Sequence, residues 1–182
     1  FDSYASSILA IVSVAVVGRL LAPDEIGVFS TAAVFVGMAT LLRDFGVSNY
    51  LVQAKECDQQ RINSALFVTQ GIATVIGLAI ALAAYPISLF YNEPRLIPTL
   101  LGLAFNLLLV PRVSVSLALL RRELRFDKVV AVSFFMNVAQ NGGVILFALL
   151  GLGYMSMVYA SILSNVVGLV LVLRKKSDIR MR

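Results

Sequence analysis

VVAVSFFMNVAQNGGVILFALL occupies residues 129–150, a run with no lysine, arginine, aspartate or glutamate. A bilayer hydrocarbon core of roughly 30 Å calls for roughly 20 apolar residues at 1.5 Å rise per residue, and this run supplies them as a helix. Strand-like alternation is absent, so it does not read as a barrel strand. Its polar residues recur at i, i+4, i+7 and i+8, as Ser133, Asn137, Gln140 and Asn141, which is one stripe of a helix. Working outward, comparable runs lie at residues 96–120 and 154–173 on either side, and at 4–21, 26–42 and 64–90 nearer the N-terminus. The gaps carry turn punctuation: Ala22-Pro23-Asp24-Glu25, the polar stretch from Arg43 to Asn63, Asn92-Glu93-Pro94-Arg95, Arg121 to Lys128, and Gly151-Leu152-Gly153. Six spans that each satisfy their own backbone hydrogen bonds predict an all-α polytopic membrane protein, a six-helix bundle over residues 1–173.

Composition agrees. Of the 182 residues, 59% are hydrophobic and 14% charged, with a mean hydropathy of +0.91, against about 45–50% and 25% in soluble domains. Disorder is excluded on the same ground. With no histidine and one cysteine, Cys57, the chain offers no disulfide, no Cys/His metal cluster and no histidine-activated nucleophile. No catalytic constellation, no metal site and no cofactor is expected.

The net charge of +5 is a topology signal rather than a nucleic-acid footprint. The loops after spans two and four and the C-terminal tail hold Arg43, Lys55, Arg61, Arg121, Arg122, Arg125, Lys128, Arg174, Lys175, Lys176, Arg180 and Arg182. The opposite side holds Arg19 and Arg95 alone. Cytoplasmic loops carry the lysine and arginine excess, which places both ends of the segment in the cytoplasm. The chain starts at Phe1, and residues 174–182 read as a basic tail or linker without structure of its own. Both features suggest a piece of a longer protein.

Polar groups inside spans need a partner or a cavity. Besides the stripe of span five, span three has Asn63, Gln70, Thr74 and Gly77 on one face, span four has Asn106 four residues after Gly102, and span six has Ser161, Ser164, Asn165 and Gly168. Such residues either hold helices together or line a hydrated path. Arg112, beside Pro111, lies about 12 Å in from the Arg121-Arg122 border on a straight helix. It either lines an internal cationic site or reaches the headgroups. Arg19 and Arg43 sit nearer span ends, as interface anchors do. Tyr85, Tyr91 and Tyr154 fall at the outer border, where aromatic belts form, and Gly71, Gly77 and Gly142-Gly143 are sites for close helix approach or bending.

Three segments carry a resemblance. Gly18-Arg19-Leu20-Leu21-Ala22-Pro23-Asp24-Glu25-Ile26-Gly27-Val28-Phe29 is similar to the "RxLxPxxFG" end of the first span in polysaccharide transporters of the multidrug/oligosaccharidyl-lipid/polysaccharide exporter superfamily. Leu42-Arg43-Asp44-Phe45-Gly46-Val47 with Leu51-Val52-Gln53 resembles their "DxGxxxxLIQ" segment, and Leu120-Arg121-Arg122-Glu123-Leu124-Arg125-Phe126-Asp127 their "QRxLxFR" loop. Ile26 and Arg121 are mild departures from frequent phenylalanine and glutamine.

The resemblance implies the N-terminal half of a transporter of twelve or more spans in the bacterial inner membrane, with a second bundle completing a central cavity. It implies a flippase that moves undecaprenyl-pyrophosphate-linked oligosaccharide units for exopolysaccharide, capsule or lipopolysaccharide O-antigen synthesis by alternating access. Arginine's planar fork suits pyrophosphate and amides suit sugar hydroxyls. The candidate cavity residues are therefore Arg112, Arg43, Arg19, Asn106, Asn137, Gln140, Asn141, Asn165 and Gln70. Expected partners are the lipid-linked oligosaccharide, membrane lipids, the second bundle and polysaccharide polymerase machinery, with no nucleic acid. Two other readings stay open: cation or drug efflux in the same fold, for which the spans lack a buried carboxylate, and a non-transporting scaffold in which the polar stripes only join helices.

Overall fold

The computed structural model describes residues 13–44, 59–122 and 124–180. These form α1 (residues 13–20), α2 (Pro23–Asp44), α3 (Gln59–Phe90), α4 (Leu96–Arg122), α5 (Phe126–Leu149) and α6 (Met155–Arg180). There is no strand among the described residues, and α2 to α6 are each long and apolar enough to cross a membrane. The fold expected from the sequence is the one observed. The earlier part of the first span and the interfacial segment at 45–58 lie outside the described residues.

Local chemistry sets the helix ends. Pro23 opens α2, where its fixed φ suits the helix and its missing donor costs nothing. Glu25 reaches back so that the Ala22 backbone N–H donates to its Oε2 at 3.0 Å, half of a capping box. This start lies three residues earlier than the hydropathy run. At the other ends, α3, α4 and α5 close with one device. The second residue past each helix is left-handed, and its own N–H and the next one turn back onto the last carbonyls: Asn92 with Glu93 onto Leu89 and Ser88, Leu124 with Arg125 onto Arg121 and Leu120, Gly151 with Leu152 onto Ala148 and Phe147.

Two boundaries differ from the sequence reading. α3 starts at Gln59, five residues before the expected 64, and its 32 residues span about 48 Å, more than a bilayer core. The basic segment expected as an unstructured tail instead continues α6 to Arg180. No glycine or proline follows Leu173, lysine and arginine are good helix formers, and cations favour a helix C-terminus.

α4 is the hub. It packs extensively on α3 and α6 and more lightly on α2 and α5, while α5 and α6 form the largest single pairing. The main core joins Val28 and Ala32 of α2, Ile80 and Ala84 of α3, Leu100 and Leu107 of α4, and Val158 of α6. A second cluster ties Val17 and Leu21 to Val144 and Ala160. The outward surface is apolar: Phe67 is 82% exposed, Leu82 79% and Phe90 84%. Water would penalise that surface, whereas lipid solvates it.

The α1–α2, α3–α4 and α5–α6 connections gather at one end, as an up-and-down order requires. Arg95 joins the first two, with Nη1 2.9 Å from Asp24 Oδ2 and Nε 2.8 Å from Glu93 Oε1, and Glu25 lies against Gly153 of the third. Hydrogen bonding from Arg95 holds the Glu93 carboxyl below its ordinary range, with partial desolvation opposing, and the Arg95 guanidinium is pushed up in return.

Candidate functional site

Two seams and an open face between them organise the polar residues of α4. On the α3 side, Gly77 faces α4, where a Cβ would make only ordinary contact, 3.5 Å from the Ala104 carbonyl oxygen. Two turns earlier in α3 the Gln70 amide donates to the Leu108 carbonyl at 3.2 Å. That carbonyl adjoins the one of Leu107, whose helical donor Pro111 removes, so the seam bond lies beside the proline's gap without filling it. α4 nevertheless runs unbroken through Pro111.

On the α6 side, Gly102 is the point of closest approach: a Cβ there would lie 2.5 Å from Val158 Cγ1. One turn further, Asn165 Nδ2 donates to Asn106 Oδ1 at 3.0 Å and to the Ser161 carbonyl at 3.1 Å. The Gln140 amide of α5 approaches Ser161 Oγ at 3.4 Å, and Ser164 Oγ donates to the Met136 carbonyl at 2.9 Å. Asn106, Gln140 and Asn165 thus come together in one cross-linked set spanning α4, α5 and α6. Small residues flank it, with Gly143 against Ala160 and Gly168 against Met136. Gly71 and Gly142, named from sequence as approach sites, have open space around them. Gly102, where α4 and α6 approach closely, was legible only as a glycine one turn from an amide.

Leu101, Phe105 and Arg112 stand at i, i+4 and i+11, one stripe of α4, and all three are exposed. The Gly77 and Gln70 contacts lie on one side of this stripe and the Gly102 and Asn106 contacts on the other. The stripe therefore faces outward between α3 and α6. Arg112 stands on it beside the buried Pro111, and Ser116 Oγ donates to the Arg112 carbonyl at 2.7 Å. No hydrogen bond or ion pair engages its guanidinium among the described residues.

The remaining sequence candidates are dispersed. Arg19 is exposed at the end of α1, Asn137 is exposed on α5, and Asn141 caps back onto the Asn137 carbonyl at 2.9 Å. The Arg43 and Asn63 side chains lie outside the described residues. Of the tyrosines assigned to the outer border, Tyr85 and Tyr91 are exposed, and Tyr154 packs partly against the main core.

A bundle of apolar helices crossing the membrane, with amides sealed in its seams, is a multi-pass helical membrane protein. The chain belongs to the polysaccharide biosynthesis protein family, whose model matches residues 16–182. It is 26% identical over 121 residues to the lipopolysaccharide biosynthesis protein WzxC of Escherichia coli strain K12, covering 66% of this chain and 25% of that protein. It is 25% identical over 161 residues to the succinoglycan biosynthesis transport protein ExoT of Rhizobium meliloti strain 1021, covering 88% of this chain and 33% of that protein. An uncharacterized membrane protein in the cps region of Klebsiella pneumoniae is 25% identical over 120 residues, 66% of this chain and 25% of that protein. The chain thus spans about a quarter to a third of the length of these relatives. No solved structure gives a significant match.

Proposed function

We propose that the chain forms one bundle of a flippase that carries undecaprenyl-pyrophosphate-linked oligosaccharides across the bacterial inner membrane, by alternating access. The products it serves are exopolysaccharide, capsule or lipopolysaccharide. The observation that carries this reading is the exposed α4 stripe, which holds an arginine part-way along a membrane-crossing helix. Facing lipid, a charge at that depth is costly; facing a hydrated path, it can meet a pyrophosphate in paired, charge-assisted hydrogen bonds. The names of the relatives, one of them a transport protein, support the substrate class. The lysine and arginine asymmetry supports cytoplasmic placement of the α2–α3 and α4–α5 connections and of the C-terminal end.

In this assignment Arg112 reads the headgroup, with Arg19 and Arg43 as further cationic contacts. Asn106, Gln140, Asn165 and Gln70 hold the bundle together, because their amides are bonded across the helix seams. Asn137, exposed, and Asn141 beside it remain as sugar contacts.

The test is native mass spectrometry of the full-length protein titrated with undecaprenyl-pyrophosphate-linked sugar and, as a control without headgroup, undecaprenol. Wild type should prefer the sugar lipid and Arg112→Ala should lose that preference. Equal binding of both lipids by both proteins contradicts the assignment.

A further inference from the structure

We propose that Phe105 is a saccharide platform on α4, with the amide nitrogen of Asn106 at its edge. A sugar ring of the lipid-linked oligosaccharide stacks on the phenyl face while the pyrophosphate meets Arg112. The inference rests on the flippase reading above and adds to it what separates a sugar-bearing lipid from the bare pyrophosphate lipid.

Three observations converge there. The first is how little of α4 is open. From Leu96 to Leu120 its exposed residues are Leu101, Phe105 and Arg112, and the rest of the span is buried or half-buried. Phe105 is 55% exposed. α3 offers the contrast: Phe67, Gly71, Val75, Leu78 and Leu82 recur at i, i+4, i+8, i+11 and i+15, all exposed and none of them charged. Lipid solvates such a stripe. On the α4 strip it would penalise the Arg112 guanidinium, which has no partner among the described residues. In a hydrated path the charge is met, and the cost falls instead on the phenyl ring left facing water. A ligand that is anionic at one end and apolar on one face removes both costs at once.

The second is chemistry. A pyranose ring is polar around its hydroxyl rim and presents C–H groups on its face, and the negative face of a phenyl ring attracts such groups. Asn106 follows Phe105 in the chain and is half-buried. Its Oδ1 accepts from Asn165 Nδ2 at 3.0 Å, whereas its own Nδ2 has no hydrogen-bond partner among the described residues. The seam with α6 therefore uses the oxygen and leaves the nitrogen. An amide N–H without an acceptor is costly at membrane depth, and a sugar hydroxyl supplies that acceptor.

The third is spacing. Phe105 and Arg112 stand on one stripe, about 10.5 Å apart along the helix axis, a separation that a pyrophosphate carrying a short saccharide spans. Arg112 is the nearer of the two to the basic α4–α5 connection. A lipid entering from the cytoplasmic leaflet thus brings its sugar to Phe105 ahead of its phosphates at Arg112.

The experiment is native mass spectrometry of the full-length protein in detergent, titrated with undecaprenyl pyrophosphate and with the same lipid carrying the repeat unit made by the source cell. Wild type should prefer the sugar-bearing lipid. Phe105→Leu keeps an apolar side chain and removes the ring; it should lose about fivefold of that preference and bind the bare lipid as before. Phe105→Trp should retain the preference. Arg112→Ala should weaken both lipids alike, and Phe67→Leu, on the lipid-facing stripe of α3, should change neither. Melting curves confirm that each variant is folded. An unchanged preference in Phe105→Leu, an equal loss of both lipids there, or a loss of preference in Phe67→Leu overturns the platform, as does equal retention of the two lipids by wild type. The two assignments fail separately. Loss of preference in Phe105→Leu with full binding by Arg112→Ala overturns the phosphate contact alone, and the reverse result overturns the platform alone.

Discussion

Gly102 and Val158 mark a close approach of α4 and α6, and enlarging it tests the packing directly. A Cβ on Gly102 would lie 2.5 Å from Val158 Cγ1, and Val158 is fully buried. A helical valine has one strongly preferred rotamer, so the methyl cannot swing away cheaply. Gly102→Ala must then separate α4 from α6 or strain Val158, at a cost of about 1–3 kcal/mol. The better helix propensity of alanine returns about 1 kcal/mol, leaving a net loss of about 0–2 kcal/mol. Val158→Ala empties about 50 Å³, whose cavity term at about 24 cal/mol per Å³ is about 1.2 kcal/mol, added to the lost transfer free energy of two methyl groups. In the double variant the new methyl occupies the vacated space, so the two effects cancel in part. The expected coupling is about 1–3 kcal/mol in the stabilising direction. Reversible unfolding of the full-length protein in mixed micelles, measured for all four members of the cycle, reads it. Additivity to within about 0.5 kcal/mol would refute the close approach of the two helices.

Other outcomes follow from the same structure. Asn165→Leu should cost about 0.6–2 kcal/mol, because Asn106 loses its cross-helix donor, and adding Asn106→Leu should recover part of it; micellar unfolding checks both. Leu124→Gly relieves a left-handed leucine and should raise stability by about 0.5–1 kcal/mol, less than the full conformational penalty because glycine also gains freedom when unfolded; a lowered melting temperature would contradict it. Glu93 has a lowered folded pKa, so its pairing with Arg95 stabilises above the ordinary value of 4.5 and is lost as pH falls through the lowered one. Glu93→Gln should therefore flatten the decline in melting temperature below pH 4.5, and an unchanged acid limb would contradict this.

The helices were legible because lipid leaves few solutions: a chain must satisfy its backbone within each span, and apolar length reports it. Their pairing was less so. The amides of spans four, five and six could be recognised as polar and placed on helix faces, but only the tertiary arrangement joins Asn106 to Asn165 and Gln140 to Ser161. Gly71 and Gly102 look alike in sequence, and what distinguishes them is the opposing surface, open space in one case and Val158 in the other. The extension of α6 to Arg180 was hidden by reading charge as the end of a helix, when charge ends only the apolar part of it. Leu124 gave no signal, because a left-handed leucine is a choice made by the turn around it rather than by its own preference. Arg112 could be named from its depth alone. That it stands on an open face depends on where α3 and α6 pack against α4.

The most direct measurement of the central claim is translocation by the full-length protein in proteoliposomes. Undecaprenyl-pyrophosphate-linked oligosaccharide delivered to the face accessible to a membrane-impermeant glycosidase is followed over time, with wild type beside Arg112→Ala and Arg112→Lys. Transport is expected in wild type, with a loss of at least about tenfold in Arg112→Ala for the removed paired contact and partial activity in Arg112→Lys, all three with equal helicity and melting temperature. Unimpaired transport by a folded Arg112→Ala protein would contradict it.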